Sequence, residues 1–221
     1  MGRAHVAVGH VGRAEEHLHT EQSPWQKIDV YRSRFHGHVL TLDDLVMLTT
    51  RDEFVYHEML VHVPLCAIEN PRDVLIIGGG DCGTLREVMK HPGVTRGLQV
   101  EIDERVTRLA EMFFPELCTA NDDPRAAFLL GDGIQWMKDA AAGSVDVIIV
   151  DSTDPIGPAE GLFTEAFYRD CHRVLGSDGI LIQQSESPLY HMDIINPMRK
   201  AMSAAAFADV QTLFFPQPCY P

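Results

Sequence analysis

An α/β fold with a parallel sheet covered on both faces is predicted by three observations. From about residue 73 onward, strand-like and helix-like segments alternate. The apolar run Val74-Leu75-Ile76-Ile77 passes directly into Gly78-Gly79-Gly80, followed by Asp81, Cys82 and Gly83. The next apolar run closes on an acid, Glu101. A buried strand, a glycine turn, a helix and a second strand ending in an acid make the first half of a Rossmann-like, nucleoside-binding sheet.

Taken in order, residues 1–22 are polar and rich in His and Gly, and are expected to be poorly ordered to about Glu21. Ile28, Val30, Tyr31, Phe35, Val39 and Leu40, broken at Gly37, then Leu42 to Leu48, predict a small antiparallel sheet. Asp52 to Leu65 reads as a helix ended by Pro64, with Asp52 and Glu53 as its caps. The chain thus divides into an N-terminal segment 1–22, a small β domain with its linking helix over 23–65, and a nucleoside-binding domain over 66–221.

Within the last of these, strand 74–77 feeds helix 84–90, which His91-Pro92-Gly93 stops. Strand 98–102 feeds helix 104–113, strand 127–130 feeds helix 134–141, and strand 145–150 leads through a loop to helix 163–174. Strand 180–183, helix 190–205 and a last strand 210–214 follow. Sheets of the class I methyltransferase type close with an antiparallel strand pair, of which only the first member is expected here. Pro216, Pro218 and Pro221 cannot supply a central strand, so the C-terminal strand is expected to be missing.

Composition bounds the ligand. Eighteen Lys and Arg against 32 Asp and Glu give a net charge of -14, which repels a nucleic-acid backbone and concentrates small cations, although ordinary solubility is the plainer reading of that charge. The five cysteines show no C-x-x-C spacing, which points away from a disulfide framework or structural zinc and towards a reducing compartment, the cytoplasm. No run approaches the roughly 18 apolar residues of a spanning helix, and no signal peptide is visible, so no membrane partner is expected.

Four acids fall where strands of such a sheet end, the edge at which it binds ligands. Asp81 is the most informative, because a phosphate at a glycine turn wants free N–H groups and no carboxylate. The pocket therefore suits an ammonium or sulfonium, although Asp81 also reads as a cap of helix 84–90. Glu101 lies 23 residues beyond Gly78, the spacing at which an acid accepts from both ribose hydroxyls; the alternative is a solvated acid opening a helix with Asp103. Asp132, between Gly131 and Gly133, reads equally as an acceptor for an adenine amino group or as an N-cap.

The loop Asp151-Ser152-Thr153-Asp154-Pro155-Ile156-Gly157-Pro158 puts two carboxylates three residues apart at the end of a buried strand, stiffened by its prolines. Crowding raises a carboxylate's pKa and helps it accept a proton from an amine, although the same composition also makes an ordinary turn. Tyr56 and Tyr220 are read either as packing residues or as aromatic faces for an alkyl amine.

Together these residues resemble the spermidine synthase family, the polyamine aminopropyltransferases. The likeness runs over about residues 21–221 and rests on Ser23 to Val30, Arg51 to Met59, Val74 to Glu87, Val100 to Asp103, Gly131-Asp132-Gly133 and Asp151 to Leu162. It implies transfer of the 3-aminopropyl group of decarboxylated S-adenosylmethionine, a co-substrate, to putrescine, with no metal and no other cofactor. It further implies that Asp81 holds the ammonium of the donor, Glu101 the ribose and Asp132 the adenine, with Gln26 on the nucleoside. Asp151 would be the base, Tyr56 its aid, Asp154 the anchor of the amine and Tyr220 a wall of its channel. A homodimer or homotetramer is implied as well. Cys82, Asp44 and Met47 stand where the family commonly has Gly, Gly and Gln. The rival readings are a methyltransferase using intact S-adenosylmethionine, which Asp81 disfavours, and a non-catalytic subunit of an aminopropyltransferase; a dehydrogenase is a distant third.

Overall fold

The computed structural model describes residues 14–218. Two sheets make up the molecule. The first is antiparallel, with strands β1 (Ala14–Gln22), β2 (Lys27–Ser33), β3 (Gly37–Leu42) and β4 (Leu45–Thr49) in chain order. Asp43 and Asp44 join β3 to β4, both at positive φ (48° and 66°), the conformation a two-residue hairpin turn requires. That explains why glycine suits position 44, and Asp is among the few residues that tolerate it.

Helix α1 (Glu53–Ala67) leads into the second sheet, five parallel strands in the order β7-β6-β5-β8-β9. These are β5 (Asp73–Gly78), β6 (Arg96–Glu101), β7 (Ala126–Leu130), β8 (Val145–Asp151) and β9 (Leu175–Gln183). The crossovers carry α2 (Gly83–Met89), α3 (Glu104–Phe113), α4 (Gly133–Asp139) and α5 (Glu165–Val174), and α6 (Met192–Ala204) follows β9. Side chains of the central strands alternate between two cores, as a pleat demands. Leu75, Ile77, Ile148 and Val150 pack with Met137, Phe167 and Tyr168 on one face. Val74, Ile76, Val147 and Ile149 pack with Leu60, Val61, Leu85 and Val88 on the other.

The small sheet is seated on α3. Ile28, Val30, Leu40, Leu42 and Leu48 share a core with Val106, Leu109, Phe114 and Leu117. Polar ties fix the register of the two parts: Ser23 Oγ donates to Asp103 Oδ2 at 2.6 Å, and Arg105 forms a two-pronged pair with Glu21.

Four expectations need correction. Ala14–Gln22 is not poorly ordered but forms β1, an edge strand with almost no apolar alternation. Backbone pairing to β2 and the pairs His17–Asp29, Glu16–Arg32 and Glu21–Arg105 hold it instead. Pro64 lies inside α1 rather than ending it, and the helix runs one turn further to Ala67, with the Ile68 N–H donating to the Pro64 carbonyl. Helix 163–174 is present as α5 from Glu165, but the loop expected ahead of it holds a 3-10 turn over Gly157–Phe163, and Thr164 divides the two, its hydroxyl capping α5 at the Phe167 N–H. Residues 210–214 pair with no strand among the described residues, and Leu213 and Phe214 are exposed.

Candidate active site

Strands β6, β5 and β8 lie side by side, so Glu101, the glycine turn and Asp151 come together at their C-terminal ends. The turn threads between the two acids. A Cβ on Gly79 would lie 3.1 Å from Asp151 Oδ2, one on Gly80 2.9 Å from Glu101 Oε2, and one on Gly78 2.1 Å from the Asp151 carbonyl. Gly78 and Gly79 also have φ of +84° and +68°, and the Gly79 N–H donates to the Asp151 carbonyl at 2.8 Å. The glycines are thus required by close approach as well as by conformation.

Asp151 accepts from two hydroxyls, Tyr56 Oη on Oδ1 and Thr84 Oγ1 on Oδ2, both at 2.6 Å. Burial, and then the charge of Asp81, raise its pKa above the ordinary carboxylate range, and the charge of His57 and the two hydroxyls only partly oppose this. A base that must take a proton from an ammonium gains from that rise. Tyr56 reaches it from α1, 95 residues away in the chain.

Asp81 sits on the turn, its side chain 16 % exposed. Its Oδ1 accepts from the Gly83 N–H at 2.7 Å and lies 3.3 Å from His57 Nε2. Asp81 therefore does bind the first turn of α2, as the capping alternative required. Burial works against its charge, but His57, the Gly83 N–H and Arg86 together more than offset this, and its pKa lies below the usual value.

His57 was not singled out in the sequence, where it reads as one more helical residue beside Tyr56. Its ring is 1 % exposed, and burial alone would discharge it. Asp81, Glu53 and Asp151 outweigh burial and raise its pKa to about 10. A Cβ on Gly83 would lie 2.3 to 2.5 Å from three atoms of this ring. A glycine at the head of α2 is the trace His57 leaves in the sequence. Cys82, fully buried, takes φ +71°, which accounts for a glycine preference there.

Glu101 is 8 % exposed and its Oε1 accepts from the Asp103 N–H at 2.8 Å. Burial raises its pKa to about 7. A carboxyl whose pKa is higher folded than unfolded adds stability below the unfolded value, and this is lost as pH rises through the folded one. Between about pH 4.5 and 7, the protein should lose on the order of 3 kcal/mol relative to Glu101→Gln. Urea midpoints of the two proteins at pH 5 and pH 8 measure this; parallel pH dependence would contradict it.

The remaining expected residues are placed as follows. Gln26 Nε2 donates to Asp103 Oδ2 at 3.0 Å, two positions beyond Glu101. Asp132 is exposed and caps α4 through the Ile134 N–H at 2.8 Å, the second of its two readings. Asp154 accepts from Gln184 Nε2 at 3.1 Å. Glu186 is near enough that Asp154 helps raise its pKa, after burial, and it pairs with His191 at 2.9 Å. Glu186 also went unread, although its place just after β9 is a ligand-binding edge. Tyr220 lies outside the described residues. Among the described residues no group of three His, Cys, Asp or Glu is arranged to hold a metal ion.

The family model described as a spermine/spermidine synthase domain matches residues 53–221, and one described as a spermidine synthase tetramerisation domain matches residues 7–50. The chain belongs to the spermine/spermidine synthase family. It is 60 % identical over 210 residues to the polyamine aminopropyltransferase of Thioalkalivibrio sulfidiphilus, covering 95 % of this chain and 74 % of that one. With the polyamine aminopropyltransferase of Methylococcus capsulatus it shares 59 % identity over 204 residues, 92 % of this chain and 72 % of the relative. A spermidine synthase solved in complex with the transition-state analogue AdoDATO superposes with a TM-score of 0.84 at 39 % identity, covering 87 % of this chain and 66 % of that one. The Thermotoga maritima spermidine synthase gives 0.81 at 37 % identity, covering 87 % and 64 %. The chain spans about three quarters of the curated relatives and just under two thirds of these solved chains.

Proposed function

We propose that this family member transfers the 3-aminopropyl group of decarboxylated S-adenosylmethionine to putrescine, releasing spermidine and 5′-methylthioadenosine. The observation that carries the reading is the meeting of Asp81 and Asp151, one ionised and the other raised, beside Tyr56 and Thr84. Asp81 takes the ammonium of the aminopropyl arm. Glu101 receives the ribose hydroxyls, Asp132 the adenine and Gln26 the nucleoside. By the family likeness, Asp154 would anchor the amine and Tyr220 would belong to the wall of its channel. Asp151 accepts a proton from the attacking amine, with Tyr56 fixing its orientation.

The nitrogen lone pair then forms the new bond to the carbon next to the sulfonium, and the carbon–sulfur bond breaks with its electrons on sulfur. A neutral thioether leaves, so no oxyanion donor is required. Alignment of nitrogen, carbon and sulfur in a line supplies most of the acceleration.

The family model named for tetramerisation falls on the β1–β4 sheet and supports a homodimer or homotetramer. No described helix is long and apolar enough to cross a membrane; we place the protein in the cytoplasm because the four cysteines among the described residues are free, which suits a reducing compartment.

Incubation with decarboxylated donor and putrescine should yield equal amounts of methylthioadenosine and spermidine by mass spectrometry. Product no greater than in an enzyme-free control favours the non-catalytic reading. Tighter binding of intact S-adenosylmethionine favours the methyltransferase.

A further inference from the structure

We propose that Glu53 and Arg86 are positioning residues for the transfer: they hold the His57 ring so that its outer nitrogen faces Asp81 and keeps that carboxylate set for the cationic donor. This rests on the reading of Asp81 as the donor's ammonium site.

The four side chains form a continuous chain inward from α2. Arg86 grips Glu53 with two nitrogens, at 3.1 Å to Oε1 and 2.9 Å to Oε2. Glu53 Oε2 meets His57 Nδ1 at 2.6 Å, and His57 Nε2 faces Asp81 Oδ1 at 3.3 Å. Glu53 and Arg86 are only 9 % and 13 % exposed, so the geometry is not a solvated surface pair. Gly83 closes the ring's other side, since any Cβ there would collide with it.

The arrangement makes demands that an ordinary structural ion pair does not. An imidazole carries hydrogens on both nitrogens only when charged. With Nδ1–H committed to Glu53, only that form offers Nε2–H to Asp81. A neutral ring in the same place would set a lone pair against a carboxylate.

Arg86 in turn keeps Glu53 ionised: burial opposes the charge, and His57 and Arg86 together overcome it. The charged groups around His57 are Glu53 on its own helix, Asp81 on the glycine turn and Asp151 at the end of β8, with Arg86 beyond Glu53. Both contacts made to the Asp81 carboxylate engage Oδ1. Among the described residues, Oδ2 is therefore the oxygen left for an incoming ammonium.

The experiment uses the full chain and its Glu53→Gln, Arg86→Met and Arg86→Lys variants. Ring 15N NMR, with His57 assigned by its loss in His57→Asn, follows the charge. In the wild type the ring should stay protonated through pH 8. In Glu53→Gln its proton affinity should fall about a thousandfold from the wild-type pKa of about 10, which leaves the ring mostly neutral at pH 8. The donor KM at pH 8 should rise about tenfold in Glu53→Gln and Arg86→Met, with kcat and the putrescine KM within about twofold, and Arg86→Lys should recover most of the loss.

A merely structural role would lower the melting temperature without moving the ring titration or separating KM from kcat. A Glu53→Gln protein that folds normally and keeps the wild-type His57 titration overturns the proposal, as does an unchanged donor KM. If the wild type makes no methylthioadenosine, the functional reading fails by itself. The ring titration still decides the positioning, because it requires no turnover.

Discussion

Asp151→Asn is expected to lower kcat by about three orders of magnitude, the middle of the range for loss of a positioned general base. Asparagine keeps the size of the side chain and can still meet the hydroxyls of Tyr56 and Thr84, each 2.6 Å from a carboxylate oxygen in the wild type. It cannot take a proton. The donor KM should therefore stay within a few-fold, because Asp81, which carries the ammonium, is untouched. The pH profile adds a second check. In the wild type, kcat should climb with pH as Asp151, raised by burial and by Asp81, loses its proton. That limb should vanish in the variant. A variant keeping more than about a tenth of the wild-type kcat would remove Asp151 from the role of base.

How much of this site could be read from the chain depends on how local each constraint is. The glycine turn, Glu101 and Asp151 were legible because a parallel sheet collects its ligand groups at strand ends, and each ends an apolar run. The structure adds why the glycines are needed: Asp151 and Glu101 flank them at distances that exclude a side chain. The bond from Tyr56 to Asp151 spans 95 residues, and no periodicity reports it.

His57 was missed for a related reason. Histidine at one point of a helix looks ordinary until three carboxylates from two other segments and its own converge on it. β1 went unread because its pairing is backbone and charge rather than alternation of apolar residues. The opposite error fell on residues 210–214, where apolar composition resembled a strand. Composition cannot supply a partner, and a strand needs one.

Asp81→Asn is expected to raise the donor KM on the order of a hundredfold, since truncating one member of a desolvated charge pair costs about 2 to 5 kcal/mol. The second consequence has the opposite flavour and makes the test specific. Asp81's negative charge is, after burial, the largest influence raising the pKa of Asp151. Removing it, with His57 still charged nearby, should bring Asp151 down towards its ordinary value, and the acid limb of the kcat profile should move to lower pH. A weaker donor complex and a more acidic base from one neutral substitution are not what a general loss of fold produces. Nor would they follow if Asp81 merely capped α2 through Gly83, because the asparagine side-chain oxygen still accepts that N–H. Stopped-assay pH profiles at saturating donor, with calorimetric titration of the donor itself, separate the two effects. An unmoved acid limb would mean that the two carboxylates do not act on one another, and an unchanged donor affinity would mean that the ammonium is held elsewhere.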